Sequence, residues 1–220
     1  MFRASLGSVA LFCVLAAPPA WASDVRGSVQ LTVNGQPRVD GSGVVVFIAD
    51  QALPTGPQAQ AAMSQVARQF SPQVLVVPVG AKVAFPNHDS IEHNVFSNSP
   101  HATFDLGRYG PGAAKARVFD QPGVVDVYCN VHRDMIGHVV VVPGPWAITG
   151  KDGSFVITGV SSGHHELVIW DRLGNPVVQR RSIEVPATGE ALLKVPIAES
   201  GDQEPPHPNK FGAEYRQANY

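Results

Sequence analysis

The sequence is short of cysteine, of charge and of long apolar runs, and each shortage removes a class of protein. Two cysteines occur among 220 residues. Charged residues are 15% of the chain, the formal net charge is −2 and no basic block is present. Nucleic-acid binding therefore has no electrostatic support. No segment reaches the roughly eighteen consecutive apolar residues that a membrane helix needs, so no span is expected. Long stretches with helical periodicity are nearly missing too. Turn chemistry fills their place: 21 glycines and 19 prolines.

The N-terminus reads as an export signal. Arg3 supplies a positive start, Leu6 to Ala17 an apolar stretch too short to span a bilayer, and Ala20-Trp21-Ala22 a small-x-small cleavage pattern. Residues 1–22 are thus expected to be removed, and Cys13 with them. The mature chain of about 198 residues, enough for one or two domains, then keeps one thiol, Cys129, in a compartment where thiols normally pair. A lone exported cysteine is a buried apolar residue, an intermolecular bridge, or a metal ligand.

Period-two alternation dominates the mature chain. Val25, Val29, Leu31 and Val33 mark a half-buried strand, Asn34-Gly35 a tight hairpin turn, and Val44 to Ile48 a buried strand. Residues 50–64 read as a linker, with one short helix expected near Gln58–Arg68. From Val74 to Val142 short strands alternate with loops rich in Asn, Ser, His and Gly, the pattern of a sandwich or barrel. After Pro143-Gly144-Pro145, Trp146 to Thr149, Asp152-Gly153 and Phe155 to Thr158 predict another hairpin. Leu167 to Trp170 and Leu193, Val195, Ile197 continue that block. Residues 198–220 are polar, proline-bearing and aperiodic, and are expected to form a disordered tail.

Chemistry concentrates in one place. Tyr128-Cys-Asn-Val-His-Arg-Asp-Met135 follows a strand, and His93-Asn94-Val95 lies well upstream. Two imidazoles, a thiolate and a thioether form a selective donor set: His93, Cys129 and His132 with a weak Met135 is the composition of a blue-copper site. Zinc competes on affinity, yet structural zinc sites favour several cysteines or histidines over a thioether. A cysteine–histidine nucleophile has no glycine-rich oxyanion turn beside it, so no catalytic residues are assigned. For Met135 simple packing is a standing alternative. His88, His101 and His138 are expected to be exposed or to support the site from outside, and His164-His165 to lie on the surface.

Val83-Ala-Phe-Pro-Asn87, His93-Asn-Val-Phe-Ser97, Pro122-Gly-Val124 and Cys129-x2-His132-x2-Met135 resemble a cupredoxin of the plastocyanin and amicyanin type over residues 66–143. The flanking arrangement resembles bacterial proteins labelled methylamine-utilisation proteins. The resemblance implies an all-β Greek-key sandwich, one type 1 copper ion and a periplasmic single-electron carrier. It also implies outer roles for Asn94, tying the two ligand loops together, and Tyr128. A redox partner, cytochrome or dehydrogenase or oxidase, is implied; the alternative is a copper-binding or delivery protein that shuttles no electrons. Ala147-x-Thr149-x-x-Asp152-Gly-x-Phe155 and Leu167-x-Ile169-Trp170 resemble a carboxypeptidase-regulatory or transthyretin-like sandwich. That second small β-sandwich would be discontinuous, residues 24–50 with 146–197. In the rival reading, 24–50 supplies the first strands of the copper domain. Pairing of Val44–Ile48 decides between them.

Overall fold

A computed structural model of the chain describes residues 22–54, 56–173, 178–199 and 207–213. The expected export signal lies almost wholly outside them. The described residues are all-β, without a helix, and none of them forms a helix long and apolar enough to cross a membrane. The strands are β1 (Ala22–Val33), β2 (Gln36–Pro37), β3 (Val45–Ile48), β4 (Gln60–Ala62), β5 (Ser64–Val66) and β6 (Gln69–Ser71). Next come β7 (Val74–Pro78), β8 (Ala81–Pro86), β9 (His93–Ser97), β10 (Phe104–Tyr109), β11 (Ala114–Phe119), β12 (Gly123–Cys129) and β13 (His132–Val142). The chain ends in β14 (Trp146–Ile148), β15 (Ser154–Ser161), β16 (Gly163–Trp170), β17 (Gln179–Val185) and β18 (Glu190–Glu199).

Two apolar cores organise these strands. Around the first lie the sheets β10-β9-β12-β13-β7 and β11-β8-β4. Their inward residues, among them Val83, Phe85, Val95, Phe104, Val125, Val127 and Val139, alternate with outward ones as a two-sheet sandwich requires. Around the second lie β15-β1-β18 and β14-β3-β16-β17, filled by Val25, Leu31, Val46, Ile48, Ile157, Leu167 and Ile169. A third cluster joins the two: Val45 and Trp170 pack with Val140 and Val142. Val45 and Val46 point to opposite faces of β3, so this strand serves both the second core and the junction.

Val45–Ile48 pairs with β14 and β16, and β1 pairs with β15 and β18; none of these ladders involves the 66–143 block. The chain leaves and re-enters the second unit side by side. Ile48 donates its N–H to Pro145 O (2.9 Å) and Leu53 to Pro143 O (3.2 Å).

Local signals were met where local chemistry sufficed. Asn34 and Gly35, both at positive φ (51° and 78°), close the β1–β2 turn. Other expectations fail. Instead of a helix, residues 58–68 hold β4 and β5, because β4 gains a ladder with β8. The Asp152-Gly153 turn forms, with Gly153 N–H on Gly150 O (2.8 Å) and Asp152 accepting from Ser154. Yet its flanking strands do not pair as a hairpin: β14 joins β3 while β15 joins β1, so the turn carries the chain from one sheet to the other. Nor are residues 198–220 an unstructured tail throughout: 198–199 extend β18, and 207–213 pack beside β12 and the segment after it. His165 is buried between Asp50 (3.2 Å) and the carbonyl of Ser161 (2.9 Å), not on the surface.

Candidate metal centre

Two adjacent strands and one bulge assemble the site. β9 is buried along its whole length, and β12 lies beside it with Tyr128 opposite Phe96. Along β12 and β13, Tyr128 pairs with Ile136 but Cys129 with His132, so residues 133–135 bulge out of register. Such a bulge re-aims side chains. Arg133 and Asp134 face solvent, while Met135 is turned inward and fully buried in the cluster that contains Cys129.

The three predicted donors converge. Cys129 Sγ stands 3.7 Å from His93 Nδ1 and 3.6 Å from His132 Nδ1. The donor atoms all lie within 4.8 Å of one another, and the imidazole rings are 4.9 Å apart between centroids. Metal–sulfur bonds of roughly 2.3 Å and metal–nitrogen bonds of roughly 2.0 Å put S and N about 3.6 Å apart around a trigonal or tetrahedral ion. The residues therefore fit a small, soft-to-borderline metal ion. His93 and Cys129 are inaccessible to solvent, whereas His132 is partly exposed.

The electrostatics suit a neutral His132 imidazole beside the sulfur. Burial lowers the His132 pKa, and the positive charges of His93 and Arg68 act in the same direction, against Asp89. Burial raises the Cys129 thiol, while backbone N–H groups of Asn94, Val131 and His132 and the charge of Arg108 oppose it. Three amides directed at one sulfur stabilise a thiolate once a cation replaces its proton.

The surrounding side chains hold this geometry. Asn94, 1% exposed, donates to Asp105 Oδ1 (2.7 Å) and accepts from the N–H of Asn130 (3.3 Å), linking β9 to the residue after Cys129. Tyr128 stacks on His207 at 4.3 Å between ring centroids, and Lys210 donates its N–H to Asn130 Oδ1 (2.9 Å). The segment 207–213 thereby lies against the strand and loop that carry Cys129. His88 is exposed, and His101 lies against Gly123. His138 pairs with Asp126 (2.9 Å) and packs on Trp170.

Neither motif nor spacing singles out Asp89. Its Oδ2 takes a hydrogen bond from His93 Nε2 at 2.7 Å, leaving Nδ1 to face the sulfur. Burial would raise its carboxyl, but hydrogen bonds from Arg68, His93 and Ala67 outweigh this and hold it below the ordinary carboxylate range. Asn87 shapes the loop, accepting from Asp89 N–H (3.0 Å) and donating to Ile91 O (2.8 Å). The clue in the sequence was Asn87-His88-Asp89, a polar turn just before the His93 strand.

No protein-family model and no curated protein matches the chain. Solved structures do. A purple cupredoxin from Nitrosopumilus maritimus is 29% identical over 38% of this chain and 99% of its own, with a TM-score of 0.34. A copper-containing nitrite reductase from Thermus scotoductus is 25% identical over 41% of this chain, spanning 25% of its own, with a TM-score of 0.36. The reduced form of an amicyanin variant is 24% identical over 43% of this chain and 90% of its own, also at 0.36.

Proposed function

We propose that this chain is an exported, periplasmic type 1 copper protein that carries single electrons between redox partners and is not itself an enzyme. The observation that carries the reading is the placement of Cys129 Sγ within 3.7 Å of Nδ1 of both His93 and His132, in a site built by β9, β12 and β13. His93, Cys129 and His132 would hold the ion, with Met135 as the weak fourth ligand. Copper, when bound, supplies a one-electron couple.

The protein's own contribution is to keep the donors still and all but His132 dry. His93 is held by Asp89, the Cys129 sulfur faces three backbone amides, and Asn94 ties the two donor segments together. A site whose ligands need not move as the charge changes suits electron exchange better than release of the ion. With four protein donors, no position is left for a substrate, which favours a carrier over an oxidase or reductase. His132, the partly exposed donor, would offer the edge at which a cytochrome, dehydrogenase or oxidase partner docks. The second sandwich, residues 24–50 with 146–197, would be the host into which the copper unit 66–143 is inserted; the ladders of β1 and β3 support that division.

The test is reconstitution of the mature chain with copper, followed by visible absorption and electron paramagnetic resonance. An intense thiolate-to-copper band is expected, absent in Cys129→Ser. Reversible voltammetry supports the carrier; ready loss of copper to a chelator with sluggish redox chemistry supports delivery instead.

A further inference from the structure

Asp89 does more than touch one histidine. Its Oδ2 accepts from His93 Nε2 (2.7 Å) and from Arg68 N–H (2.9 Å), and its Oδ1 accepts from Ala67 N–H (2.6 Å). The two backbone N–H groups can only donate, which calls for a carboxylate, and a carboxylate in turn makes the imidazole Nε2 the donor in the third contact. An amide would set its own NH2 against one of them. The side chain is 14% exposed, so water does little to replace these bonds.

Ala67 and Arg68 form the two-residue turn between β5 and β6, where Val66 pairs with Gln69. Both sit at positive φ, 52° and 59°, a conformation that such turns normally reserve for Asn and Gly. Two successive non-glycine residues in the left-handed region are a strained arrangement that the surroundings must enforce. Here it aims both backbone N–H groups at Asp89. The hairpin acts as an anchor for the carboxylate, and the carboxylate as an anchor for the imidazole.

On the proposed copper reading, we infer that Asp89 is a positioning residue that fixes the His93 tautomer, with the proton on Nε2 and Nδ1 free to bind, and that its negative charge favours Cu(II) over Cu(I). A carboxylate on the far nitrogen strengthens an imidazole ligand and adds anionic charge near the site, both stabilising the more positive ion.

The experiment compares the copper-loaded mature chain with Asp89→Asn by voltammetry, and records imidazole 15N spectra of the diamagnetic Cu(I) wild type. The expected result is a rise in reduction potential equal to at least a tenfold shift in the Cu(II)/Cu(I) ratio, about 59 mV for one electron, with the thiolate band retained. The spectra should show the His93 proton on Nε2. Should Asp89→Asn fail to fold, the comparison is made in an Ala67→Asn background. There the exposed turn residue prefers its observed conformation and holds the hairpin without the carboxylate. A potential shift under threefold, or a His93 proton on Nδ1, overturns the role of Asp89 alone. A wild type lacking the thiolate band overturns the copper reading, and this inference with it.

Discussion

Gly144 meets Ile48 at the point where the chain returns from the 66–143 block: a Cβ on Gly144 would overlap the carbonyl oxygens of Ile48 and Gln51. This close approach brings the outgoing and returning segments into hydrogen-bonding contact, through Leu53 with Pro143 and Ile48 with Pro145. Backbone lies on both sides, so neither can yield cheaply. Gly144→Ala is therefore expected to lower stability by about 1–3 kcal/mol in thermal or denaturant unfolding. Gly56→Ala, with open space around it, should change stability little.

Trp170 closes the junction between the two cores. It is 5% exposed, sits in the cluster with Val45, Val140 and Val142, and packs on His138. Trp170→Ala is expected to cost about 3–5 kcal/mol. It should leave the visible spectrum of the copper form unchanged, because Val45, Val140, Val142 and His138, which pack with the ring, are not donors. A changed spectrum would mean that the two units are coupled through this junction.

Asn94 carries two half-buried hydrogen bonds, one to Asp105 on β10 and one from the residue after Cys129. Asn94→Ala removes the acceptor of the Asn130 N–H, while Asp105 Oδ1 keeps the N–H of Gly107, a loss of about 1 kcal/mol. The backbone N–H of residue 94 still faces the sulfur, so colour should persist while copper leaves faster. Chelator competition measures the difference.

The 207–213 segment is held partly by Lys210 on Asp105 (2.6 Å). Burial raises the Asp105 carboxyl, but hydrogen bonds from Lys210, Asn94 and Gly107 outweigh it and keep the group below its ordinary 3.8. A carboxyl depressed in the folded state contributes above the unfolded value and stops contributing as pH falls through the lower folded value. Amide protection over 207–213 should therefore drop below about pH 3.8, while the pair's share of global stability stays under about 1 kcal/mol because it is partly exposed. Lys210→Ala should loosen the segment already at neutral pH and flatten that acid step. Hydrogen exchange followed by mass spectrometry or NMR reads both.

Copper itself should stabilise the fold. An ion that binds only the assembled donors raises the unfolding free energy with concentration, by about 2.7 kcal/mol at a hundredfold excess over the dissociation constant. Removing it should reverse the gain. Cys129→Ser should show little of either effect.

What the sequence determined by itself was whatever depends on neighbours along the chain. Asn34-Gly35 closes its turn because both residues accept positive φ. Cys129, His132 and Met135 sit on one short stretch whose spacing already marks a set of metal-donor residue types. The alternation of Val, Ile and Phe marks all-β architecture. Tertiary structure decided the rest. Residues 58–68 lost their expected helix to a ladder with β8, a partner more than a dozen residues away. The strands flanking Asp152-Gly153 went to opposite sheets, because each found its pairing partner in the N-terminal block. Asp89 became a support of His93 only when the strained Ala67-Arg68 turn closed over it. Hydrogen bonds and burial between distant segments outweigh local preference, and no local pattern records where those segments will meet.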